Sequence, residues 1–485
     1  MQILIGLIGL FYYLVVVGLA CYGFHNLFTT ILYLRMKTSK KHGGRARPLK
    51  NWPPVTIQLP IFNEKYTVER LLHSVTYLDY PADCLQIQVL DDSTDDTLDL
   101  VSQLVKEYKS QGINIELIHR VNRQGYKAGA LDNGLHTATG EFIGIFDADF
   151  VPKSNWLRRT VPFFQNRELG CVQTRWGHTN QQYNSLTRAE AMGIDGHFII
   201  EQTVRSKNGF FLNFNGTAGL WRRACIEDAG GWQWDTLTED LDLSYRAQMR
   251  GWKFDYLPDV VVPAELPPQV EAFKKQQFRW AKGSFQVVRK ILPSVLQSGL
   301  SWKVRLMALL HLTGYFIHPL MLSLLLLTLP VGLLMPKAFN IYPISVIAGL
   351  GPPLLYATAT AAQKTSFLKG IRSFPLLVIV GFGLSLSTSI AVIEGLFSKG
   401  GAFIRTPKLN LDNKKQRKKI DRAYVAPLSS LVWIEIFLGV YALVTGIVLA
   451  SYTGWSILFW MILYMLGFFY IAGLNLIQHR PQTGD

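Results

Sequence analysis

The sequence predicts an α/β domain with a doubly wound sheet, inserted between α-helical transmembrane segments. Three observations support this prediction. Residues 1–34 contain no Asp, Glu, Lys or Arg, and this run exceeds the roughly 20 apolar residues that cross a bilayer. From residue 51 to about residue 300, short β-rich segments alternate with helical ones, as in a parallel sheet with crossover helices. The chain after that block is mostly apolar.

Composition agrees with a chain that lies partly in lipid. Of its 485 residues 49% are hydrophobic, and the formal net charge is +15. The basic residues crowd beside apolar stretches, as positive-inside topology requires, so we interpret the charge as membrane orientation and expect no nucleic-acid partner. The four cysteines have no CxxC spacing, which fits a reduced cytosolic setting for the central block.

The first segment, residues 1–34, is predicted to be a transmembrane helix. A cleaved signal peptide is the alternative, but the run is longer than the roughly 7–15 residues of a typical signal core and no small-residue cleavage site closes it. Strands are predicted at 55–59, 85–90, 113–118 and 142–146, within a cytosolic domain of residues 51–300. An interfacial helix is expected near 271–290.

Residues 301–485 are predicted to form a membrane domain with spans at about 306–335, 341–362, 431–450 and 455–474. The apolar segment 374–397 has basic residues on both sides, so a crossing would place one basic loop outside the cell. We predict that it lies along, or re-enters from, the cytoplasmic face, and an ordinary span is the alternative. The basic loop 398–425 is then cytosolic, as is the central domain.

Acidic residues directly after predicted strands are the first candidates for chemistry, because ligands of such sheets bind beyond the carboxyl ends of the strands. Asp91 and Asp92 follow one strand, and Asp147 and Asp149 follow another. The second pair could hold a divalent cation, since Mg²⁺ takes carboxylate oxygens and shares its other positions with phosphates and water. Helix capping and an ordinary surface turn are the alternative interpretations.

Three further motifs carry reactive groups. Lys127 lies between two glycines, where a cationic side chain could approach a pyrophosphate; a solvated lysine is the alternative. Glu239 and Asp240 could supply a base, or could simply favour a helix start. The stretch 276–280, taken alone, favours an interfacial helix. Taken together with the acids upstream, Arg279 can stabilise a departing diphosphate and Trp280 can offer a flat apolar face to a sugar ring.

In this order the motifs resemble the D, DxD, D, QxxRW signature of processive family 2 glycosyltransferases such as cellulose synthases. Several linking stretches resemble the plant cellulose synthase-like mannan and glucan synthases of the A and C types: FNE at 62–64, VLDDST at 89–94, GYKAGA at 125–130, FDADF at 146–150 and NFNGTAG at 213–219. The likeness covers about residues 55–290. It does not extend to the cyclic-dinucleotide-sensing domain of many bacterial cellulose synthases, so we expect no such regulation.

The resemblance implies a GT-A domain and a role for each site residue. Asp240 would be the catalytic base, with Glu239 beside it, and Asp147 with Asp149 would hold Mg²⁺ or Mn²⁺. The implied donor-binding residues are Phe62, Glu64, Asp91, Asp92, Lys127, Asp147 and Arg279. The implied acceptor-binding residues are Gln276, Trp280, Asn215 and Gly216. A gating loop is implied by its similarity to bacterial cellulose synthase at Phe403, Arg405, Thr406 and Lys408.

The expected activity is inverting, metal-dependent transfer of a sugar from a nucleotide-sugar donor to a growing β-linked polysaccharide, β-1,4 in linkage, with secretion of the product across the membrane. UDP-glucose is favoured as the donor and GDP-mannose is the alternative. A membrane glycolipid synthase acting on diacylglycerol or ceramide is the rival function, and a transporter or scaffold with a degenerate enzyme domain is a second. The expected location is a bacterial plasma membrane or a Golgi-type membrane, with the catalytic domain facing the cytosol.

Overall fold

The computed structural model describes residues 1–38, 49–339, 342–363, 366–411, 428–453 and 455–479. One sheet of seven strands forms the centre of the domain between the N-terminal helix and the C-terminal helices. The strands are β1 Val55–Ile61, β2 Leu85–Asp91, β3 Ile115–His119, β4 Phe142–Ile145, β5 Leu169–His178, β6 Gly219–Arg222 and β7 Lys253–Ala264.

The order across the sheet is β3-β2-β1-β4-β6-β5-β7. The first four strands are mutually parallel, β6 is antiparallel to both of its neighbours, and β5 pairs in parallel with β7. This mixed, doubly wound sheet confirms the predicted fold class. Because β1, β2 and β4 are adjacent and parallel, the loops that follow them leave the sheet at the same edge.

Helices cover both faces of the sheet and continue into the membrane region. They are α1 Gln2–Thr38, α2 Val68–Thr76, α3 Thr97–Ser110, α4 Tyr126–Leu135, α5 Trp156–Thr160, α6 Ser185–Asp195, α7 Thr203–Asn208, α8 Arg223–Asp228, α9 Glu239–Met249, α10 Val270–Gln297, α11 Trp302–Leu312, α12 Ile317–Leu334, α13 Tyr342–Ala362, α14 Phe367–Ile371, α15 Phe374–Gly383, α16 Ser385–Phe397, α17 Leu431–Thr453 and α18 Trp455–Gln478. A π-helical turn, Gly196–Gln202, joins α6 to α7.

Two apolar cores fix the sheet between its helices. Ile57 and Val89 belong to the core on one face, and Ile143 and Ile145 with Leu131 of α4 belong to the core on the other. All five side chains are fully buried, and each contributes roughly 1.5–3 kcal/mol by leaving water. The sheet edge that carries the candidate residues is therefore a rigid platform.

Among the described residues, four helical segments are long and apolar enough to cross a membrane: Gln2–Met36, Gly314–Leu334, Leu431–Ser451 and Trp455–Gln478. The number rises to five if the bent pair Phe374–Gly383 and Ser385–Phe397 is one span. The helix expected at about 306–335 is divided in the structure, because α11 ends at Leu312 and the segment that is long and apolar enough to cross begins at Gly314. Helix α13 covers the stretch expected at 341–362, and Gly351 lets it approach the backbone of Gly23 in α1.

The segment expected to lie along or re-enter the membrane is a broken helix. Helices α15 and α16 meet at an angle of 52°. The loop expected at 398–425 is described as far as residue 411, and its remainder lies outside the described residues. A break of this kind, here at Leu384, occurs both in a broken span and in a re-entrant loop. That this segment lies along or re-enters the membrane therefore stays a prediction.

A buried charged network joins α10 to the last two membrane helices. Lys274 Nζ donates to Glu435 Oε1 of α17 at 2.7 Å and lies 3.6 Å from Glu271 Oε2, while Asn475 Nδ2 of α18 donates to Glu271 Oε2 at 2.9 Å. All four side chains are at most 7% exposed. The network holds α10 against the α17–α18 hairpin.

We expect Lys274→Met to destabilise the protein by about 3–5 kcal/mol, because it leaves two buried carboxylates without their cation. The matched control is Lys282→Met on the same helix, whose ion pair with the 45% exposed Glu394 is expected to contribute about 0–1 kcal/mol. Thermal unfolding of the detergent-solubilised protein measures both. Equal shifts of the two melting temperatures would contradict the assignment of the stabilisation to the buried network.

Candidate active site

An open cleft lies at the carboxyl edge of β1, β2 and β4. It encloses about 1230 Å³, including space open to solvent. Nearly all of the residues singled out in the sequence line it: Phe62, Glu64, Asp92, Lys127, Asp147, Asp149, Asn215, Gly216, Glu239, Asp240, Gln276, Arg279, Trp280, Phe403, Arg405, Thr406 and Lys408. Segments from residue 62 to residue 408 therefore meet around one space.

Asp91 is the exception, because it does not line the cleft. Its carboxylate is fully buried and lies 2.7 Å from His119 Nδ1, and it accepts a hydrogen bond from the Ser93 backbone N–H. Asp92 does line the cleft and accepts two hydrogen bonds from the Arg120 guanidinium, at 2.8 and 2.6 Å. Of the two aspartates considered for nucleotide contact, Asp92 has the access.

The carboxylates after β4 each pair with a lysine from another part of the chain. Lys127 Nζ donates to Asp147 Oδ1 and also to the Gly216 carbonyl, at 3.0 Å. Lys408 Nζ donates to Asp149 Oδ2 at 2.8 Å and to the Glu265 carbonyl at 2.7 Å. The gating-type segment thus reaches the candidate metal ligands directly.

Sequence reasoning missed Glu265, which holds that segment in place. Its two carboxylate oxygens accept hydrogen bonds from the backbone N–H groups of Leu409 at 3.0 Å and Asn410 at 2.8 Å. Glu265 directly follows β7, so the rule that selected Asp91 and Asp147 would have found it had this strand been predicted. Trp176 and His178 of β5 also line the cleft and were missed for the same reason.

Asp240 lies at the start of α9, facing the tight turn at Gly216. Gly216 has φ +80°, and a Cβ there would lie 3.0 Å from Asp240 Oδ2, so glycine gives the carboxylate its space. Burial, followed by the negative charge of Glu239, raises the pKa of Asp240 to about 7 against the opposing Leu241 N–H, Lys127 and Arg279. A carboxylate with a pKa near 7 suits a general base.

Helix α10 supplies the opposite wall of the cleft with Gln276, Arg279 and Trp280. The Arg279 guanidinium carbon lies 4.4 Å from the centre of the Phe403 ring, a cation–π distance. Phe403 in turn stacks on Tyr126, with 6.2 Å between ring centres. Burial lowers the pKa of Arg279, while the negative charges of Glu239, Asp240 and Asp147 raise it. Arg279 shares the cleft with these carboxylates.

The acidic residues fit a divalent cation that is shared with a substrate. Within the described ranges there is no group of three or more His, Cys, Asp or Glu side chains that could hold a metal alone. Mg²⁺ and similar ions are usually held by one or two carboxylates, with phosphates and water completing the shell. Burial raises the pKa of Glu64 to about 7. The positive charge of Arg405 opposes this rise, and the negative charges of Asp149 and Asp147 add to it. A bound cation would offset the negative charge that is concentrated here.

Comparisons with known proteins identify the family of this chain. The family model for "Glycosyltransferase like family 2" matches residues 53–283. Glucomannan 4-beta-mannosyltransferase 2 of Arabidopsis thaliana is 34% identical over 431 residues, which cover 85% of this chain and 79% of that protein.

Among solved structures, mannosyltransferase PcManGT from Pyrobaculum calidifontis, in complex with GDP-Man and Mn²⁺, matches with a TM-score of 0.54 and 21% identity, over 79% of this chain and 99% of that one. This structural likeness supports the GT-A-like mixed sheet and nothing finer. The sequence identity and coverage of the Arabidopsis protein carry the assignment of family. This chain belongs to family 2 of the glycosyltransferases, within the cellulose synthase-like group, and is a glycosyltransferase.

Proposed function

We propose that this enzyme transfers mannose from GDP-mannose, with inversion, to the growing end of a β-1,4-linked polysaccharide. The sequence alone favours UDP-glucose. The name of the Arabidopsis relative and the GDP-Man in the Pyrobaculum structure support mannose instead. The observation that carries the proposed chemistry is that Asp149, Asp240 and Arg279 line the same cleft, although they come from distant parts of the chain.

The proposed reaction is a single displacement at the anomeric carbon of the donor. The acceptor hydroxyl attacks this carbon, Asp240 takes the hydroxyl proton, and the bond between the carbon and the diphosphate oxygen breaks. The electron pair of that bond leaves with GDP, and the configuration changes from α to β. Burial and the negative charge of Glu239 raise the pKa of Asp240, which makes its carboxylate a stronger base for the hydroxyl proton.

Cationic side chains stabilise the departing diphosphate in this proposal. Lys127 lies beside Asp147, and Arg279 lines the same cleft from α10. Asp147 and Asp149 would hold Mg²⁺ or Mn²⁺, which when bound supplies Lewis-acid stabilisation of the diphosphate charge. Asp92, fixed by Arg120, and Phe62, which lies under the Arg123 guanidinium at 3.3 Å, line the donor side of the cleft.

The membrane helices support a product that leaves through the bilayer. In the part of the chain that the structure describes, at least four helices are long and apolar enough to cross the membrane. Helix α10 both lines the cleft and contacts α16 and α18. We propose that the catalytic domain faces the cytosol, where the nucleotide sugar is available, and that the polysaccharide is secreted. Gln276 and Trp280 would then meet the acceptor end, since Trp280 offers a flat apolar face to a sugar ring.

The donor and acceptor can be tested with the purified full chain. We expect radiolabelled mannose from GDP-mannose, in the presence of Mn²⁺ or Mg²⁺, to enter a polymer that β-mannanase digests, while UDP-glucose gives at least about tenfold less product. A glucanase-sensitive product from UDP-glucose would overturn the choice of sugar. Label that partitions into chloroform–methanol would support the rival lipid acceptor.

The requirement for a metal is tested separately. Chelation of the divalent cation with EDTA is expected to stop transfer.

A further inference from the structure

A hydrogen-bonded set behind the cleft wall fixes the orientation of Asn215. The set comes from the π-helical turn Gly196–Gln202 between α6 and α7, and π-helical turns are rare and frequently found at functional sites. It consists of His197, Glu201 and Gln202, none of which belongs to the cleft lining given above. Asn215, which it contacts, does line the cleft.

The hydrogen bond from Gln202 to the Asn213 carbonyl determines the direction of the other hydrogen bonds in the set. Gln202 Nε2 donates to the Asn213 carbonyl at 2.7 Å, and since a carbonyl only accepts, the amide nitrogen of Gln202 must face it. The same nitrogen lies 2.6 Å from Asn215 Oδ1, so Asn215 presents its oxygen to Gln202. Its Nδ2 must then face the other way.

On its other side, the Asn215 amide contacts His197, which in turn contacts Glu201. Asn215 Nδ2 lies 3.1 Å from His197 Nε2, and His197 Nδ1 lies 2.9 Å from Glu201 Oε2. The amide nitrogen is a donor, so Nε2 accepts and the ring proton resides on Nδ1, where it is donated to Glu201. Glu201 therefore selects the tautomer of His197, and His197 with Gln202 holds both ends of the Asn215 amide.

Held in this way, Asn215 keeps one N–H and one lone pair for a ligand in the cleft. The adjacent Gly216 lies against Asp240 and accepts a hydrogen bond from Lys127. A sugar hydroxyl that donates to Asn215 Oδ1 or accepts from Nδ2 would thus lie near the proposed base. Donor contacts attributed to Asp92 and Arg279 come from other elements.

We infer that His197, Glu201 and Gln202 are positioning residues that orient Asn215 to bind the acceptor sugar. This inference rests on the proposed function, because it takes Asp240 as the base and a polysaccharide end as the acceptor. It separates acceptor recognition, organised by the π-helical turn, from donor recognition. A substitution in the set should therefore change the KM for the acceptor and leave the KM for the donor unchanged.

The test uses the full chain with GDP-mannose and the soluble acceptor mannotetraose. We expect His197→Phe to raise the acceptor KM about three- to tenfold, the effect of losing one or two positioning hydrogen bonds, with the donor KM and the rate of donor hydrolysis unchanged. His197→Gln is the matched variant, since its amide oxygen can accept from Asn215, and its acceptor KM should stay within about twofold of the wild-type value. About a quarter of the His197 side chain is exposed, so neither change opens a buried cavity.

Gln202→Glu provides a second, independent variant. A carboxylate cannot donate to the Asn213 carbonyl or to Asn215 Oδ1, so the acceptor KM should again rise. Gln165→Glu makes the same chemical change at a site whose amide donates to the Pro162 carbonyl, and should leave both KM values unchanged.

Equal rises in the donor and acceptor KM, or an unchanged acceptor KM in His197→Phe, would overturn the inference. Failure of the wild-type protein to use GDP-mannose would instead count against the proposed donor, and the same variants would then be compared with the donor that it does use.

Discussion

Asp240→Asn is expected to lower the rate of sugar transfer by about 10²–10⁴-fold, the usual contribution of a general base. Asparagine has nearly the same shape and can still accept the Leu241 backbone hydrogen bond that Asp240 Oδ1 receives at 2.8 Å. The acceptor proton, however, would have no carboxylate to receive it. Incorporation of labelled mannose measures the loss, and calorimetric titration with GDP-mannose should show donor binding close to that of the wild type.

Asp228→Asn is the matched control for this substitution. The Asp228 side chain is 44% exposed; it forms an ion pair with Arg250 and accepts a hydrogen bond from the Trp252 indole N–H. The same chemical change at this surface position should leave transfer unchanged. An Asp240→Asn enzyme with more than about a tenth of the wild-type rate would remove Asp240 from the role of base.

The pH dependence of the wild-type enzyme gives a second check on Asp240. The base acts in its ionised form, and burial with the neighbouring Glu239 raises its pKa to about 7. Transfer should therefore be constant above about pH 8 and fall roughly tenfold per unit below pH 7. An acid limb near pH 4, the ordinary range of an aspartate, would indicate that the base is another group or that the carboxylate is solvated when substrate binds.

The sequence predicted the half of the sheet whose signals are local. Each of β1 to β4 is a short β-rich segment, and the acids that follow β2 and β4 mark the ligand-binding edge. No strand is predicted for β5, β6 and β7, although β7 contains the β-branched run at residues 260–262. Their places in the sheet depend on pairings such as Gln173 with Tyr256, which lie far apart in the chain. Because β7 was not predicted, Glu265 was missed, although it stands directly after a strand as Asp92 does.

The sequence also could not predict which of two neighbouring side chains faces the cleft. Asp91 and Asp92 are adjacent and identical, yet one faces His119 in the interior and the other faces the cleft. Successive side chains at a strand end point to opposite sides, but which side is the cleft depends on the segments packed there. The same holds for His197, whose contact with Asn215 is visible only in the folded structure.

Arg279→Ala is expected to lower kcat by about 10²–10³-fold, because one preorganised group that stabilises the charge of the departing diphosphate is lost. Arg279→Lys should recover little of this rate, since an ammonium group lacks the planar fork that binds two phosphate oxygens at once and stacks on Phe403. The control is Arg289→Ala on the same helix, whose guanidinium donates to the Leu396 carbonyl and is absent from the cleft lining. Steady-state transfer kinetics with GDP-mannose compare the three variants.

The same substitution has a second effect, which separates a charge in the cleft from a merely structural arginine. The positive charge of Arg279 lowers the pKa of Asp240, so its removal should raise that pKa further. Because transfer needs the ionised base, the acid limb of Arg279→Ala should move to higher pH than in the wild type, whereas in Arg289→Ala it should not move. A lower kcat with an unchanged acid limb would mean that the guanidinium of Arg279 does not share the cleft with Asp240 during the reaction.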